Sequence, residues 1–229
     1  MTEPAGQAGS NRAVLDACTL FPASLRGVLL SVAEQEVFRP VWSEPILGEV
    51  QGALVKTGVM ESNQARGLTR AMRDFFPGAM VAEQPIREIE SHMPNDLKDR
   101  HVLAAAVVSG TPVVVTQNLK DFRAQDLATV GVRAIHPDAF LTGLLGRAPE
   151  AIHEALQFHV ESMRASGRWT TGQLLGHLQG MGRGKGLTPT FARAAAQRLG
   201  IRATTPPPPD QARDRTGLNR SRGRQPRER

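Results

Sequence analysis

The feature that most constrains the fold of this chain is a series of short apolar runs separated by helical patterns. The segments RAVLD at 12–16 and PVVVT at 112–116 are short and almost continuously apolar. Such runs are typical of strands covered on both faces. Apolar residues at three- and four-residue spacing lie between them and indicate helices. The alternation predicts an α/β fold, in which a mainly parallel sheet is flanked by helices as an α/β/α sandwich.

The other strands and helices give weaker patterns. AMVAEQ at 79–84 reads as the second strand, PIREIES at 85–91 as a short helical turn and VRAIHP at 132–137 as the last strand. The segment VFRPVW at 37–42 is expected to be an extended connector. Further helices are predicted at 22–35, 43–56, 62–76, 95–110 and 138–145, with Ser43 and Asn95 as N-caps of two of them.

The character of the chain changes after the front part. Residues 1–10 are expected to form a flexible start and 11–145 the α/β part. Residues 146–203 contain three helical patterns without a strand pattern, which predicts a small helical extension. From 204 onward, TTPPPPD and an arginine-rich stretch lack the apolar residues for a core, so a disordered basic tail is predicted at 204–229.

The net charge of +6 is unevenly distributed. Residues 1–145 carry 13 Lys and Arg against 16 Asp and Glu, 146–201 carry 7 against 3, and 202–229 carry 8 against 3. A basic tail raises the affinity for nucleic acid through phosphate contacts and counterion release. A solvated tail that aids solubility explains the same composition, so the charge alone leaves both interpretations open.

Composition also limits the cellular setting. Cys18 is the single cysteine, so the chain has no internal disulfide and a reducing cytoplasm is the expected location. No apolar run approaches the ~20 residues that cross a bilayer, and the N-terminal residues lack the features of a secretory signal. We therefore expect a cytoplasmic protein without a membrane partner.

Several carboxylates are predicted to meet at one edge of the sheet. Asp16 directly follows the first strand, and Asp121 follows the strand at 113–116 by one short loop. In parallel α/β sheets, ligands bind outside the carboxyl ends of the strands. A turn or helix cap is the other explanation for Asp16, but the next predicted helix begins only near Pro22.

Asp96 and Asp99 lie three residues apart in the first turn of a predicted helix. Acidic residues favour the positive end of the helix dipole, which is a sufficient explanation for Asp96. Asp99 is followed by an apolar run that draws it toward the interior, where a carboxylate needs a partner or a cation. Asp99 is therefore the stronger candidate of the two.

Two further residues complete the candidate set. Glu49 lies in the helical pattern at 43–56, where a solvated charge is the ordinary interpretation. Asn118 lies in the same loop as Asp121 and is expected either to cap a helix or to contact water around a metal ion. Carboxylates brought together raise one another's pKa values unless a cation intervenes. Mg²⁺ or Mn²⁺ suits such an all-oxygen site and can activate water for attack on a phosphodiester.

The order and spacing of four motifs resemble the PIN-domain nucleases. The motifs are RAVLDACTLFP, ILGEV, DLKDRHVLAAAV and VVVTQNLKDF, and the resemblance extends from Asn11 to Leu145. It implies a parallel sheet between helices and a Mg²⁺ or Mn²⁺ site. By position, the metal-binding and catalytic residues that it implies are Asp16, Glu49, Asp99 and Asp121, with Asp96 and Asn118 in support. The family often has asparagine where this chain has Cys18.

Within that family the chain most resembles the VapC-type toxins of toxin–antitoxin modules. This implies an endoribonuclease that cleaves single-stranded RNA, a cognate antitoxin as partner and a homodimer. The helical rear part resembles an extension found in a longer subgroup of these toxins. A PIN nuclease that processes RNA without a toxin role is the alternative within the family.

Two other classes of function remain as alternatives. The segment LDACTL is similar to the strand-end nucleophile of haloacid-dehalogenase-like phosphatases, but those enzymes need a second aspartate where Cys18 stands. A non-catalytic RNA-binding or regulatory module would not require all four acidic residues, and all four are present. Cys18 itself reads as a small buried apolar residue, and the histidines show no zinc-binding spacing.

Overall fold

The computed structural model describes residues 11–163, 169–181 and 186–206, and in this part four parallel strands form one sheet. The strands are β1 Arg12–Leu15, β2 Arg39–Val41, β3 Val113–Val115 and β4 Arg133–Ile135. Their order is β2-β1-β3-β4, and every neighbouring pair is parallel. Because the chain adds β2 on one side of β1 and then β3 and β4 on the other, its direction of winding changes between β1 and β3. The predicted parallel α/β fold is confirmed.

Helices surround this sheet and continue beyond it. Those in the α/β part are α1 Ala17–Leu20, α2 Ala23–Glu34, α3 Glu44–Lys56, α4 Ser62–Phe75, α5 Glu83–Glu90, α6 Arg100–Val108, α7 Ala124–Ala128 and α8 Pro137–Arg147. The rear helices are α9 Pro149–Ser162, α10 Thr171–Gln179 and α11 Pro189–Arg198. None of the helices in the described ranges is long and apolar enough to span a membrane.

The predicted second strand at 79–84 is wrong. Met80 makes only an isolated parallel bridge with Trp42, and Glu83 already begins α5. One of the two edge strands, β2, lies inside the segment that was expected to be a connector. The sequence did not indicate β2 because it contains Pro40. Proline in a short run argues against a strand, although it is tolerated at a sheet edge.

The start of the first helix also differs from the prediction. Helix α1 begins directly after Asp16, whose carbonyl oxygen accepts hydrogen bonds from the N–H groups of Thr19 and Leu20 at 2.9 and 3.1 Å. The Asp16 side chain, however, does not cap this helix. The carboxylate is therefore free of a capping role, although the helix lies much closer than the sequence suggested.

The predicted N-cap at Asn95 is wrong as well. A 3₁₀ turn at Leu97–Asp99 precedes α6, and Asp96 caps this turn by accepting a hydrogen bond from the Lys98 N–H at 3.1 Å. Asn95 is buried, and its side-chain amide has no hydrogen-bond partner among the described residues. Asp96 consequently caps the 3₁₀ turn and Asp99 ends it, so the two do not share the face of one α-helix.

The three predicted rear helices are confirmed and pack against the α/β part. Helix α9 packs along α2, α11 packs on α8 and α10, and one hydrophobic core runs through both parts. The predicted boundary at 145/146 falls inside α8, and the division into domains stays a prediction. The Thr204 N–H donates to the Gly172 carbonyl at 2.9 Å. The predicted flexible residues 1–10 and the predicted tail from 207 onward lie outside the described residues.

Candidate functional site

The carboxyl edge of the two central strands carries the first two candidate residues. Asp16 follows β1, and Asp121 ends a 3₁₀ turn, Leu119–Asp121, that comes shortly after β3. Because β1 and β3 are parallel neighbours with Leu15 opposite Val115, both strands end at the same edge. The other two candidates come from helices. Asp99 directly precedes α6 and Glu49 lies within α3.

Asp16 is fixed by two side chains. The Thr116 hydroxyl donates to Asp16 Oδ2 at 2.6 Å, and the Cys18 thiol donates to the same oxygen at 2.9 Å. Burial, and then the neighbouring Asp16 carboxylate, raises the pKa of Cys18 to about 11, so the thiol keeps its proton at neutral pH. In the described part of the chain no hydrogen bond reaches Asp16 Oδ1. The second carboxylate oxygen is therefore available for a ligand.

The loop after β3 connects Asp16 to Asp121. Thr116 is fully buried, and its hydroxyl accepts a hydrogen bond from the Asn118 N–H at 3.0 Å while it donates to Asp16. The Asn118 side-chain amide then donates to Asp121 Oδ2. Asn118 thus supports a candidate carboxylate and makes no side-chain cap, which was one of the two roles expected for it.

Asp99 lies at the electrostatic centre of the group. Burial, followed by the charges of Asp16, Asp121 and Glu49 in that order, raises the pKa of the Asp99 carboxyl to about 6. His101 acts in the opposite direction and is the weakest of these influences. Asp16, Asp121 and Glu49 therefore lie close enough to Asp99 for their charges to raise its pKa. As they stand, no three carboxylate, imidazole or thiol side chains in the described ranges surround a single point closely enough to hold a metal ion.

Glu49 has a partner that the sequence did not reveal. His101 Nε2 lies 3.5 Å from Glu49 Oε1, a long contact in which the imidazole is buried and the carboxylate is 47% exposed. Burial lowers the pKa of His101, but the contact with Glu49 and the charges of Glu90 and Asp16 outweigh it, and the net direction is upward. His101 directly follows Arg100 at the start of α6, and no spacing in the sequence relates it to Glu49. The sequence indicated only that His101, like the other histidines, lacks a zinc-binding spacing.

A repeated tripeptide contains two of the four carboxylates, Asp99 and Asp121. Leu-Lys-Asp occurs at Leu97–Asp99 and again at Leu119–Asp121, and both copies form 3₁₀ turns. In each copy the leucine and lysine are exposed and the aspartate is partly buried. The Asp96 N–H donates to the Asp121 carbonyl at 3.5 Å, which joins the two turns. Asp96 itself is exposed, and its predicted supporting role toward a metal ion stays a prediction.

The donor set fits a hard divalent cation. Four carboxylates offer oxygen ligands, which Mg²⁺ and Mn²⁺ prefer over nitrogen or sulfur. Asp16 Oδ1 takes no hydrogen bond from the described residues, and Asp99 is held among three like charges that a cation would offset. Glu49 is exposed and Asp121 is partly buried, so neither side chain is enclosed by the core. The Cys18 thiol is protonated and occupied with Asp16, so it is not a ligand of this set.

The raised pKa of Asp99 gives a prediction for protein stability. The folded value of about 6 exceeds the ordinary value of 3.8, so the folded protein binds this proton more tightly than the unfolded chain does. The resulting stability is complete below about pH 4 and is lost as the pH rises through about 6. We expect Asp99→Asn to raise the melting temperature more at about pH 8 than at about pH 5, in a buffer with EDTA. Thermal denaturation at both pH values checks this, and an equal gain at both would contradict it.

Part of the chain is similar in sequence to a known protein. The chain is 49% identical over 59 residues to the "Putative ribonuclease VapC50" of Mycobacterium tuberculosis. The match covers 26% of the chain and 35% of that protein, so it spans about a third of the relative's length. No protein-family model matches the chain, and no solved structure matches it significantly. For the matched part, the similarity confirms the resemblance to VapC-type nucleases that the sequence motifs indicated.

Proposed function

We propose that this VapC-like protein is a Mg²⁺-dependent endoribonuclease that cleaves single-stranded RNA and acts as the toxin of a toxin–antitoxin pair. The observation that carries the proposal is the meeting of Asp16, Glu49, Asp99 and Asp121 at the carboxyl edge of β1 and β3. This is the point where the winding of the sheet changes direction and where α/β proteins bind ligands. The similarity to a relative named as a ribonuclease supports the same class of reaction.

The chain's own residues have distinct roles in this proposal. Asp16, Asp99 and Asp121 would bind Mg²⁺ or Mn²⁺ directly, and Glu49 would complete the set directly or through water. A bound divalent cation supplies an acidified water and offsets negative charge on the phosphate oxygens. Thr116 and Cys18 orient Asp16, because both donate to its Oδ2, and no described residue donates to its Oδ1. Asn118 orients Asp121 by donating to its Oδ2.

Lys98 and Lys120 provide positive charge for an RNA substrate beside the carboxylates. RNA is a polyanion, and an exposed group of carboxylates repels it until a cation is bound. Lys98 and Lys120 are exposed on the two Leu-Lys-Asp turns, one beside Asp99 and one beside Asp121. Neither lysine forms an ion pair with a carboxylate of the described residues. They are therefore free to contact the phosphates on either side of the bond to be cleaved.

The partners in this proposal follow from the family resemblance. A VapC-type toxin implies a cognate antitoxin that silences the nuclease, and it implies a homodimer. The preference for single-stranded RNA and the cytoplasmic location belong to the same proposal. The exposed side chains of Leu97, 73% exposed, and Leu119, 42% exposed, provide apolar contacts beside the carboxylates for such a protein partner.

RNA cleavage by the purified protein tests the proposal. We expect a 5′-labelled single-stranded RNA to be cut internally in the presence of Mg²⁺ or Mn²⁺, and EDTA to abolish the cutting. A duplex of the same sequence and a single-stranded DNA are the matched substrates, and both should remain largely intact. Mapping the RNA ends identifies the sequence that is recognised. Cleavage that continues at an unchanged rate in EDTA would contradict the metal dependence, and no cleavage under any condition would contradict the nuclease function.

A further inference from the structure

A cavity lies at the opposite edge of the sheet from the carboxylates. It has a volume of about 640 Å³, within the range of small-molecule sites. Its lining comes from the first residues of β1 and β2, the end of α2 and the end of α4 with the turn after it. The start of β1 is separated from Asp16 by the length of the strand, about 13 Å at the usual rise per residue. This cavity is therefore distinct from the candidate metal centre.

Two arginines lie side by side in this cavity. Arg12 and Arg39 are opposite each other in the register of β1 and β2, so their side chains leave the same face of the sheet. Arg12 donates one hydrogen bond to the Ser109 carbonyl at 2.9 Å, and neither guanidinium forms an ion pair with a described carboxylate. Like charges at opposing positions are unfavourable, and a phosphate can accept hydrogen bonds from both guanidinium groups.

An exposed aromatic side chain lies beside the arginines. Phe75 is 62% exposed, which is unusual for a large apolar residue, and it lines the cavity together with Phe76. The rings of Phe75 and Phe76 are 5.3 Å apart, and Phe76 packs edge-on against the buried ring of Trp42 at 5.9 Å. The Phe75 ring is thus in contact with Phe76, and much of its surface is exposed to solvent. A flat aromatic ligand can stack on such a surface.

The backbone at Glu36 adds a third observation. Glu36 has φ of +56°, in the left-handed region that favours glycine, and it lines the same cavity. It follows the last turn of α2, where glycine is the usual residue at this conformation. Glu36 therefore has a strained backbone conformation, and strain of this kind clusters at ligand sites. In the cavity, Glu36 is placed to accept hydrogen bonds from amino or hydroxyl groups.

We propose that this cavity binds a nucleoside monophosphate, either free or at the end of an RNA strand. Arg12 and Arg39 bind the phosphate, Phe75 stacks on the base, and Glu36 accepts hydrogen bonds from the ribose or the base. The phosphate, the base and the ribose thus each have a matching side chain in the lining of the cavity. The proposal does not depend on the carboxylate centre or on the nuclease function.

Isothermal titration calorimetry with adenosine 5′-monophosphate tests the site. The titration is carried out in EDTA, so that no divalent cation bridges the nucleotide to the carboxylates. We expect saturable binding with a Kd below about 1 mM. Adenosine, which lacks the phosphate, and ribose 5-phosphate, which lacks the base, should each bind at least about tenfold more weakly.

Variants localise the binding to the cavity. Arg39→Gln and Phe75→Ala replace exposed side chains, and each should weaken nucleotide binding by about tenfold. Arg70→Gln is the matched control, because Arg70 is an exposed arginine of α4 outside the cavity. Glu36→Gly should weaken binding while it raises the melting temperature, because glycine relieves the backbone strain. Asp99→Asn should bind the nucleotide as tightly as the wild type, which separates this test from the nuclease proposal.

The outcomes are distinguishable. The proposal is overturned if adenosine 5′-monophosphate does not bind, if ribose 5-phosphate binds equally well, or if both Arg39→Gln and Phe75→Ala bind like the wild type. Competition with a 5′-phosphorylated RNA oligonucleotide identifies the source of the ligand. Displacement of the mononucleotide by the oligonucleotide supports an RNA end as the occupant, and retention supports a free nucleotide.

Discussion

Asp99→Asn is expected to reduce RNA cleavage by about 100-fold or more while the protein stays folded. Asparagine has nearly the same shape as aspartate but lacks the negative charge that binds a divalent cation. The carboxyl of Asp99 lies among Asp16, Asp121 and Glu49, and loss of its charge also relieves their repulsion. The variant should therefore be at least as stable as the wild type in EDTA. Initial cleavage rates at saturating Mg²⁺, together with thermal denaturation, measure both effects.

Asp74→Asn is the matched control for this variant. Asp74 is 71% exposed on α4, pairs only loosely with Arg70 at 3.7 Å, and is not among the charges that act on Asp99. The same chemical change at this position should leave the cleavage rate unchanged. If Asp99→Asn cleaved RNA as fast as the wild type, the assignment of Asp99 to the metal centre would be wrong. If Asp74→Asn were equally impaired, the loss would not be specific to the site.

Gly27→Ala is expected to be the most destabilising single-methyl change among the described glycines of the α/β part. Gly27 lies in α2, and a Cβ atom there would lie 2.0 Å from Cε1 of His159 on α9. The nitrogens of the same ring would be 2.6 and 2.7 Å away. Since the imidazole is buried between the helices, it has little space to move, and α9 must shift from α2. We expect the free energy of unfolding to fall by about 1–3 kcal/mol, measured by urea denaturation.

A double variant shows whether the clash with His159 is the cause. In a His159→Ala background the ring is absent, so Gly27→Ala should cost much less than it does in the wild type. Gly67→Ala is the control: it lies exposed in α4 with open space around its Cα, and it should gain about 0.5–1 kcal/mol from helix propensity. An equal cost of Gly27→Ala in both backgrounds would show that the α2–α9 contact is not the origin of the effect.

The sequence predicted β1, β3 and β4 but missed β2 at one edge of the sheet. The runs around β1 and β3 are continuously apolar because both strands are buried on both faces, and this pattern identifies them without any tertiary information. The edge strand β2 has three residues, one of them Pro40, so its pattern resembles a connector. Conversely, AMVAEQ has apolar residues because Ala79 and Val81 pack against the core from a turn and a loop.

The candidate site was predicted at the level of residues but not of contacts. Asp16, Asp99 and Asp121 follow from strand ends and an apolar helix, and Glu49 followed mainly from the family resemblance. The hydrogen bond from Thr116 to Asp16 joins residues 100 positions apart, and the Glu49–His101 contact joins two helices. No local periodicity encodes such contacts. The interpretation of Cys18 as a small apolar residue missed its hydrogen bond to Asp16 for the same reason.

Binding of Mn²⁺ to the purified protein tests the central claim most directly. The electron paramagnetic resonance signal of free Mn²⁺ reports how much of the ion remains unbound as protein is added. The wild-type protein should bind Mn²⁺ saturably, Mg²⁺ should compete, and Asp99→Asn should lose the binding while Asp74→Asn retains it. If the wild type shows no saturable binding, or if Asp99→Asn binds Mn²⁺ as tightly as the wild type, the four carboxylates do not form a metal centre.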